Sequence, residues 1–260
     1  MKRNNAALRN ESFDLLWMKS FSPNPSAKMR LFCFPYAGGG CAAFRTWAGD
    51  APREMQICPV QLPGREYRIM ETPFSNLPDL IPVLAQALRP YFDRPFAIFG
   101  HSLGALIAFE LVRELRRAGE REPLRLFVSA RRAPHIPPRK SPIHNLPHDE
   151  FMKELRRFKG TPDEVLNNAE LMELVLPALR ADFRMHETYT YKHELPLTMP
   201  INIFGGLDDA EVRREELEGW SVQTSASTEL KLFPGDHFFL HREQKALIEA
   251  IAHNLNGMLA

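Results

Sequence analysis

Ser102 stands in the run Gly100-His101-Ser102-Leu103-Gly104, with a glycine two residues to either side. Five residues alone match G-x-S-x-G too often to mean much. Here, however, the run follows the apolar stretch Ala97-Ile98-Phe99 and opens a helical pattern. That strand-turn-helix setting holds a serine on a strained elbow with its hydroxyl exposed, and the glycines keep side chains out of the crossing. A glycine-flanked helix N-cap is the plain alternative, since serine is a favoured capping residue. A serine hydroxyl is a poor nucleophile near neutral pH and needs a base within hydrogen-bond reach, itself oriented by a carboxylate. The chemistry of such a trio is acyl transfer through an acyl-enzyme.

When the partners follow the serine in the chain order Ser, Asp, His, the carboxylate comes just after a later strand. The exit loop Gly205-Gly206-Leu207-Asp208-Asp209 follows Ile201-Asn202-Ile203-Phe204 and offers two adjacent candidates, Asp208 and Asp209. Adjacent side chains point different ways, so only one can orient a base; alternatively both simply begin a helix near its positive dipole end. The base is expected after the last strand, where Phe233-Pro234-Gly235-Asp236-His237 ends a strand through a Pro-Gly turn. Of nine histidines, His237 has that position; His241 lies four residues on and His253 falls inside a C-terminal helical pattern. Acyl transfer also needs donors aimed at the developing oxyanion. One is the backbone N–H of Leu103, directly after the serine. The other comes from the loop after an early strand, here Phe34-Pro35-Tyr36-Ala37-Gly38-Gly39-Gly40. The glycine run lacks the lysine of a P-loop and the G-x-G-x-x-G spacing, which argues against a phosphate or dinucleotide cradle.

These groups must be positioned by a sheet. Short apolar runs at 29–34, 55–60 and 95–99 read as buried strands and those at 124–129, 200–204 and 229–233 as further strands, with helices expected over 103–117, 210–222 and 243–255. The alternation predicts an α/β protein with a mostly parallel sheet and helices on both faces. Five prolines between Ala133 and Pro147 exclude a central strand or helix interior there. Helical patterns at 148–159 and 168–187 follow, so residues 133–197 are expected to form a helical insertion over the ligand-binding edge of the sheet, a lid. Residues 1–26 are expected to be a loosely held polar arm and 27–260 the folded domain.

Composition sets limits on function. In 260 residues, 33 basic against 32 acidic side chains give a formal charge of +1, which disfavours nucleic-acid binding. No run approaches the ~18 apolar residues of a membrane span, so no membrane association is expected. The three cysteines Cys33, Cys41 and Cys58 have no CxxC spacing, arguing against a disulfide framework or a zinc site and for a reducing, cytoplasmic setting. No metal or bound cofactor is implied, and a monomer is expected.

Four segments together, Phe34 to Gly40, Gln61-Leu62-Pro63-Gly64-Arg65-Glu66, Arg94 to Gly104 and Gly235-Asp236-His237-Phe238-Phe239-Leu240, resemble the stand-alone type II thioesterases that serve polyketide synthases, nonribosomal peptide synthetases and animal fatty acid synthase. The resemblance runs from about Arg30 to the C-terminus. It implies an α/β-hydrolase fold with a helical lid and an enzyme that frees carrier proteins of wrong or stalled acyl groups. The substrate is then the acyl thioester on the phosphopantetheine arm of an acyl or peptidyl carrier protein domain, and phosphopantetheine belongs to that substrate. Carried over by position, the resemblance implies Ser102 as nucleophile, His237 as base, and the Ala37 and Leu103 amides as oxyanion donors. Its G-x-x-D pattern, laid on Gly206-Leu207-Asp208-Asp209, selects Asp209. Ala210 where many members have proline, and Asp236 before the histidine, depart from the pattern.

Four further readings remain. The trio would also cleave small carboxylic esters, and a non-catalytic carrier-binding scaffold is the reading from another class. Arg131, Arg132, Arg139 and Lys140 lie in a ten-residue stretch without an acid, suited to steering an acidic carrier or holding the pantetheine phosphate, or else to being merely solvated. Met152, Met172, Phe183 and Met185 are candidates for an adaptable acyl pocket or for core packing.

Overall fold

The computed structural model describes residues 16–18, 24–158 and 160–259. Six strands, β1 (Met29–Phe34), β2 (Met55–Pro59), β3 (Phe96–His101), β4 (Leu126–Ser129), β5 (Ile201–Gly206) and β6 (Thr228–Phe233), form one sheet in the order β2-β1-β3-β4-β5-β6. Every pairing is parallel, which is the expected α/β architecture. Strands β1 to β5 are buried at every position, as strands covered on both faces must be, hence their continuous apolar runs. β6 lies at the edge, and Glu229 and Lys231 there face solvent as edge-strand charges do.

The helices supply the layers. On one face α1 (Leu77–Leu88) and α2 (Leu103–Arg117) bury Leu80, Leu84, Leu106 and Leu111 against Phe32, Ile98 and Val128. On the other, α6 (Gln244–Leu259) buries Leu247, Ile248, Ile251 and Leu255 with Phe99, Phe127 and Phe204. The link from β4 to β5 carries α3 (His148–Phe158) and α4 (Ala169–Glu187), which enclose a small core of Phe151, Leu155, Met172, Leu179 and Phe183. The helix expected over 210–222 is instead an irregular loop leading into α5 (Arg214–Glu218) and a 3-10 turn.

α1 has no counterpart among the helices expected from sequence, and it carries two prolines, Pro78 and Pro82. Pro78 occupies the first turn, where no N–H is needed, and the side chain of Asn76 caps the helix by accepting the Asp79 N–H at 2.9 Å. Most of the expected arm at 1–26 lies outside the described residues. Within it, Trp17 and Met18 are buried in the main core and the Trp17 carbonyl accepts the Gln61 N–H at 3.0 Å, so this short apolar patch is held against the domain. Cys33, Cys41 and Cys58 are buried. Among the described residues no helix is long and apolar enough to cross a membrane.

Candidate active site

The sheet order reverses beside β1, which lies between β2 and β3, and ligands of open α/β sheets bind at the carboxyl ends of strands near such a point. The loops after β1, β3, β5 and β6 bring Ala37, Ser102, Asp209 and His237 there. Ser102 sits between β3 and α2 at φ 54°, ψ −113°, a strained conformation for a residue with a Cβ. The crossing explains the glycines. A Cβ on Gly104 would lie 2.5 Å from the Phe34 carbonyl carbon and 2.6 Å from the Pro35 carbonyl oxygen, and one on Gly100 would lie 2.5 Å from the Ala105 nitrogen.

His237 Nε2 is 3.0 Å from Ser102 Oγ, and His237 Nδ1 is 2.8 Å from Asp209 Oδ2. Asp209 Oδ1 accepts the N–H groups of Glu211 at 2.7 Å and Val212 at 3.2 Å, so both carboxylate oxygens are engaged. The Asp209 side chain is 1% exposed and that of His237 13%. Asp208 points to solvent and takes no part. With the carboxylate accepting from Nδ1–H, the lone pair of Nε2 faces the serine hydroxyl. Phe238 packs edge-on against the imidazole with ring centroids 5.2 Å apart.

Two residues not singled out by sequence hold this line in place. His101 is buried; its Nε2 lies 2.9 Å from the His237 carbonyl and therefore carries the proton, while Nδ1 accepts from the Ser129 hydroxyl at 2.8 Å. Burial pushes its pKa well below the usual histidine range, so it stays neutral. Tyr36 Oη lies 3.1 Å from His241 Nε2, tying the β1 loop to the segment after His237.

The N–H groups of Ala37 and Leu103 donate to no protein acceptor among the described residues. The peptide that carries the Ala37 N–H is oriented by a turn in which the Gly39 N–H donates to the Tyr36 carbonyl at 2.9 Å. A planar trans peptide then directs the Ala37 N–H the opposite way. Ser102, His237 and Ala37 line one cavity of about 570 Å³, whose apolar wall includes Leu155, Phe158, Leu179 and Phe183 from the insertion.

A family model for the thioesterase domain matches residues 29–255. The chain belongs to the thioesterase family. Among its relatives the gramicidin S biosynthesis protein GrsT of Aneurinibacillus migulanus is 45% identical over 244 residues, 94% of this chain and 95% of GrsT. The linear gramicidin dehydrogenase LgrE of Brevibacillus parabrevis is 43% identical over 246 residues, 94% of each. Its name denotes a redox activity for which the glycine run of this chain lacks the spacing. Among solved structures, the type II thioesterase BorB from the borrelidin biosynthetic cluster superposes with a TM-score of 0.84 at 35% identity, over 94% of this chain and 98% of BorB. The fold of this thioesterase is accordingly the α/β-hydrolase fold.

The basic stretch of the thioesterase is only partly surface. Arg131 is buried, and burial, with Arg132 beside it, pushes its pKa down to about 9. Arg139 Nε donates to Glu216 at 2.9 Å and Lys140 Nζ to Glu211 at 2.6 Å. All four line the cavity, which also includes the half-buried His186, held neutral by desolvation. Of the four acyl-pocket candidates Phe183 lines the cavity, whereas Met172 and Met185 are packed in the insertion and main cores and Met152 packs against the insertion core.

Proposed function

We propose that this thioesterase is an editing enzyme that hydrolyses acyl groups from the phosphopantetheine thiol of acyl or peptidyl carrier protein domains, with Ser102, His237 and Asp209 as its catalytic residues. The observation that carries the reading is the hydrogen-bonded line from Asp209 through His237 to Ser102, ending on the wall of a largely apolar cavity wide enough for an acyl chain. Ser102 Oγ attacks the thioester carbon as its proton passes to His237 Nε2, and the carbonyl pair moves to an oxygen facing the Ala37 and Leu103 N–H groups. The intermediate collapses with loss of the pantetheine thiolate, which takes the proton from His237. A thiol, at a pKa of roughly 8.5 by analogy with cysteine, leaves readily. Water, deprotonated by His237, then attacks the acyl-enzyme, and the carboxylic acid departs with Ser102 restored.

GrsT and BorB are named for gramicidin S and borrelidin biosynthesis, and the reading takes that assembly-line setting over to this chain. Residues 133–197 serve as the lid, the enzyme works as a cytoplasmic monomer, and phosphopantetheine enters with the substrate. Neither a nucleic acid nor a membrane is a partner.

Intact-mass spectrometry of carrier proteins loaded with short and long acyl groups tests the reading. Wild type returns carriers to the free-thiol mass and Ser102→Ala does not. Turnover of p-nitrophenyl esters with carrier-bound acyl groups left untouched would identify a carboxylesterase, and no turnover of either would leave a scaffold.

A further inference from the structure

Gly38, one residue past Ala37, donates its N–H to Asp182 Oδ2 at 2.7 Å. Asp182 belongs to α4, in the insertion, and its side chain is fully buried. Arg65 meets it with both arms, Nη1 to Oδ2 at 2.6 Å and Nη2 to Oδ1 at 2.8 Å. The same Nη1 also donates to the Gly39 carbonyl at 3.3 Å, and Arg65 is itself 6% exposed at its side chain. The neighbours of Arg65 continue the grip. Gln61 Oε1 accepts the Cys41 N–H and Glu66 Oε1 the Ala42 N–H, each at 2.9 Å. The loop that presents the Ala37 N–H is thus anchored at Gly38, Gly39, Cys41 and Ala42 by groups from two other parts of the chain.

The geometry at Gly38 makes the Asp182 contact more than packing. Gly38 has φ 77°, the left-handed value required at the third position of a type II turn such as the one closed by Tyr36 and Gly39. A type I and a type II turn differ by a flip of the central peptide, here Ala37–Gly38, and glycine at the third position tolerates both. A carboxylate that accepts the Gly38 N–H excludes that flip and, with the Arg65 bond to the Gly39 carbonyl, holds the turn whose Tyr36–Gly39 hydrogen bond orients the Ala37 N–H. A lone buried carboxylate beside a developing oxyanion would repel it; paired face to face with a guanidinium, Asp182 can hold the N–H without adding net charge.

We propose that Asp182, held by Arg65, is a positioning residue for the reaction: it fixes the turn that aims the Ala37 N–H and ties the lid helix α4 to the oxyanion loop. This rests on the assignment of Ser102 and of the Ala37 amide above. Removing either charge alone leaves its partner buried and unpaired, which endangers folding. Two variants are used, and the second, which removes both charges, avoids that ambiguity. Asp182→Asn keeps an acceptor for Gly38 and removes the charge. Arg65→Met with Asp182→Leu replaces the pair by apolar groups of similar volume and leaves the Gly38 N–H without an acceptor.

The readouts are kcat and KM on an acyl-pantetheine thioester, and binding of two ketones of one acyl chain. The trifluoromethyl ketone is attacked by Ser102 Oγ; its carbonyl pair moves to oxygen, the serine proton goes to His237, and the hemiketal oxyanion occupies the hole. The methyl ketone fills only the acyl cavity. For the double variant kcat falls about 10- to 100-fold with KM within twofold, as misplacing an oxyanion donor should cost. Trifluoromethyl ketone affinity falls by the same factor, and methyl ketone affinity is unchanged. Asp182→Asn loses less kcat and less trifluoromethyl ketone affinity than the double variant. Equal losses for both ketones, a change confined to KM, or a folded double variant with wild-type kcat overturns the proposal. Failure of the wild type to react with the trifluoromethyl ketone, with Ser102→Ala no different, overturns the underlying assignment as well.

Discussion

Asp209→Asn changes one atom type in a side chain whose surroundings decide what the new amide does. Oδ1 accepts two backbone N–H groups, from Glu211 and Val212, in a site 1% exposed. If the amide turned its NH2 toward them, two hydrogen bonds worth about 1 kcal/mol each would be lost and buried donors left facing donors, at about 1–3 kcal/mol more. The amide oxygen therefore stays on the backbone, and the NH2 faces His237 Nδ1. Donor then meets donor, and the imidazole resolves the conflict by moving its proton to Nε2. In that tautomer Nε2 cannot accept the Ser102 proton. The same change of tautomer in a serine protease costs about 10⁴ in kcat, or about 5 kcal/mol of transition-state stabilisation. The expected result is that loss in the acylation burst with a p-nitrophenyl ester, at unchanged KM and with thermal stability within about 1 kcal/mol of wild type. Asp208→Asn, on an exposed side chain, stays within about twofold. A variant Asp209→Asn that keeps more than a tenth of wild-type kcat refutes the tautomer argument and with it the role of Asp209.

Gly104→Ala should destabilise the thioesterase by about 1–3 kcal/mol and cut kcat by about 100-fold, measured by urea unfolding and ester hydrolysis. In an ordinary helix this substitution stabilises; here the new Cβ forces α2 and the Phe34–Pro35 backbone apart by roughly 1 Å, and wild-type stability would refute the crossing argument. Because His101 is held neutral by burial, its folded pKa lies below the unfolded value of about 6.5, so the unfolded chain binds the extra proton and acid lowers stability. Between pH 7.5 and 5.5 wild type should lose about 1.4 kcal/mol more than His101→Gln, and parallel stability curves would exclude this. Removing the Ser129 hydroxyl by Ser129→Ala should leave that pH slope in place while weakening the hold on His101; a kcat loss above about tenfold would show that His101 does more than brace the His237 carbonyl.

Most of the sheet and the main line of the site were legible because they rest on local signals. Continuous apolar runs mark strands buried on both faces; Ser102 and Asp209 each follow such a run across a turn, and His237 follows the alternating edge strand β6. Local signals also misled. The helical reading of 210–222 failed at its start because Asp209 spends an oxygen on the Glu211 and Val212 N–H groups, a side-chain bond that competes with helix formation. Pro82 obscures α1 although Leu77, Leu80, Ile81, Leu84 and Leu88 keep helical spacing; its ring faces solvent on the outer side of the helix. The basic stretch at 131–140 read as a surface because charge was counted without its partners, Glu211 and Glu216, which lie more than seventy residues away.

Asp182 illustrates what sequence hides and where a trace remains. Its partner Arg65 is 117 residues distant and its second partner is a backbone amide, so no spacing rule joins them. Yet Asp182 falls three residues after Leu179 and three before Met185, both buried, which sets a carboxylate on the apolar stripe of α4. A charge in such a place needs a buried counterpart, and an arginine already present in a Pro-Gly-Arg-Glu turn beside a glycine-rich loop is the group with the geometry to meet both a carboxylate and a carbonyl. The same helix presents Leu179 and Phe183 to the cavity. Part of the cavity wall and the anchor of the Ala37–Gly38 turn are thus neighbouring turns of one helix, so the sheet alone does not complete the site: one wall is built by the insertion.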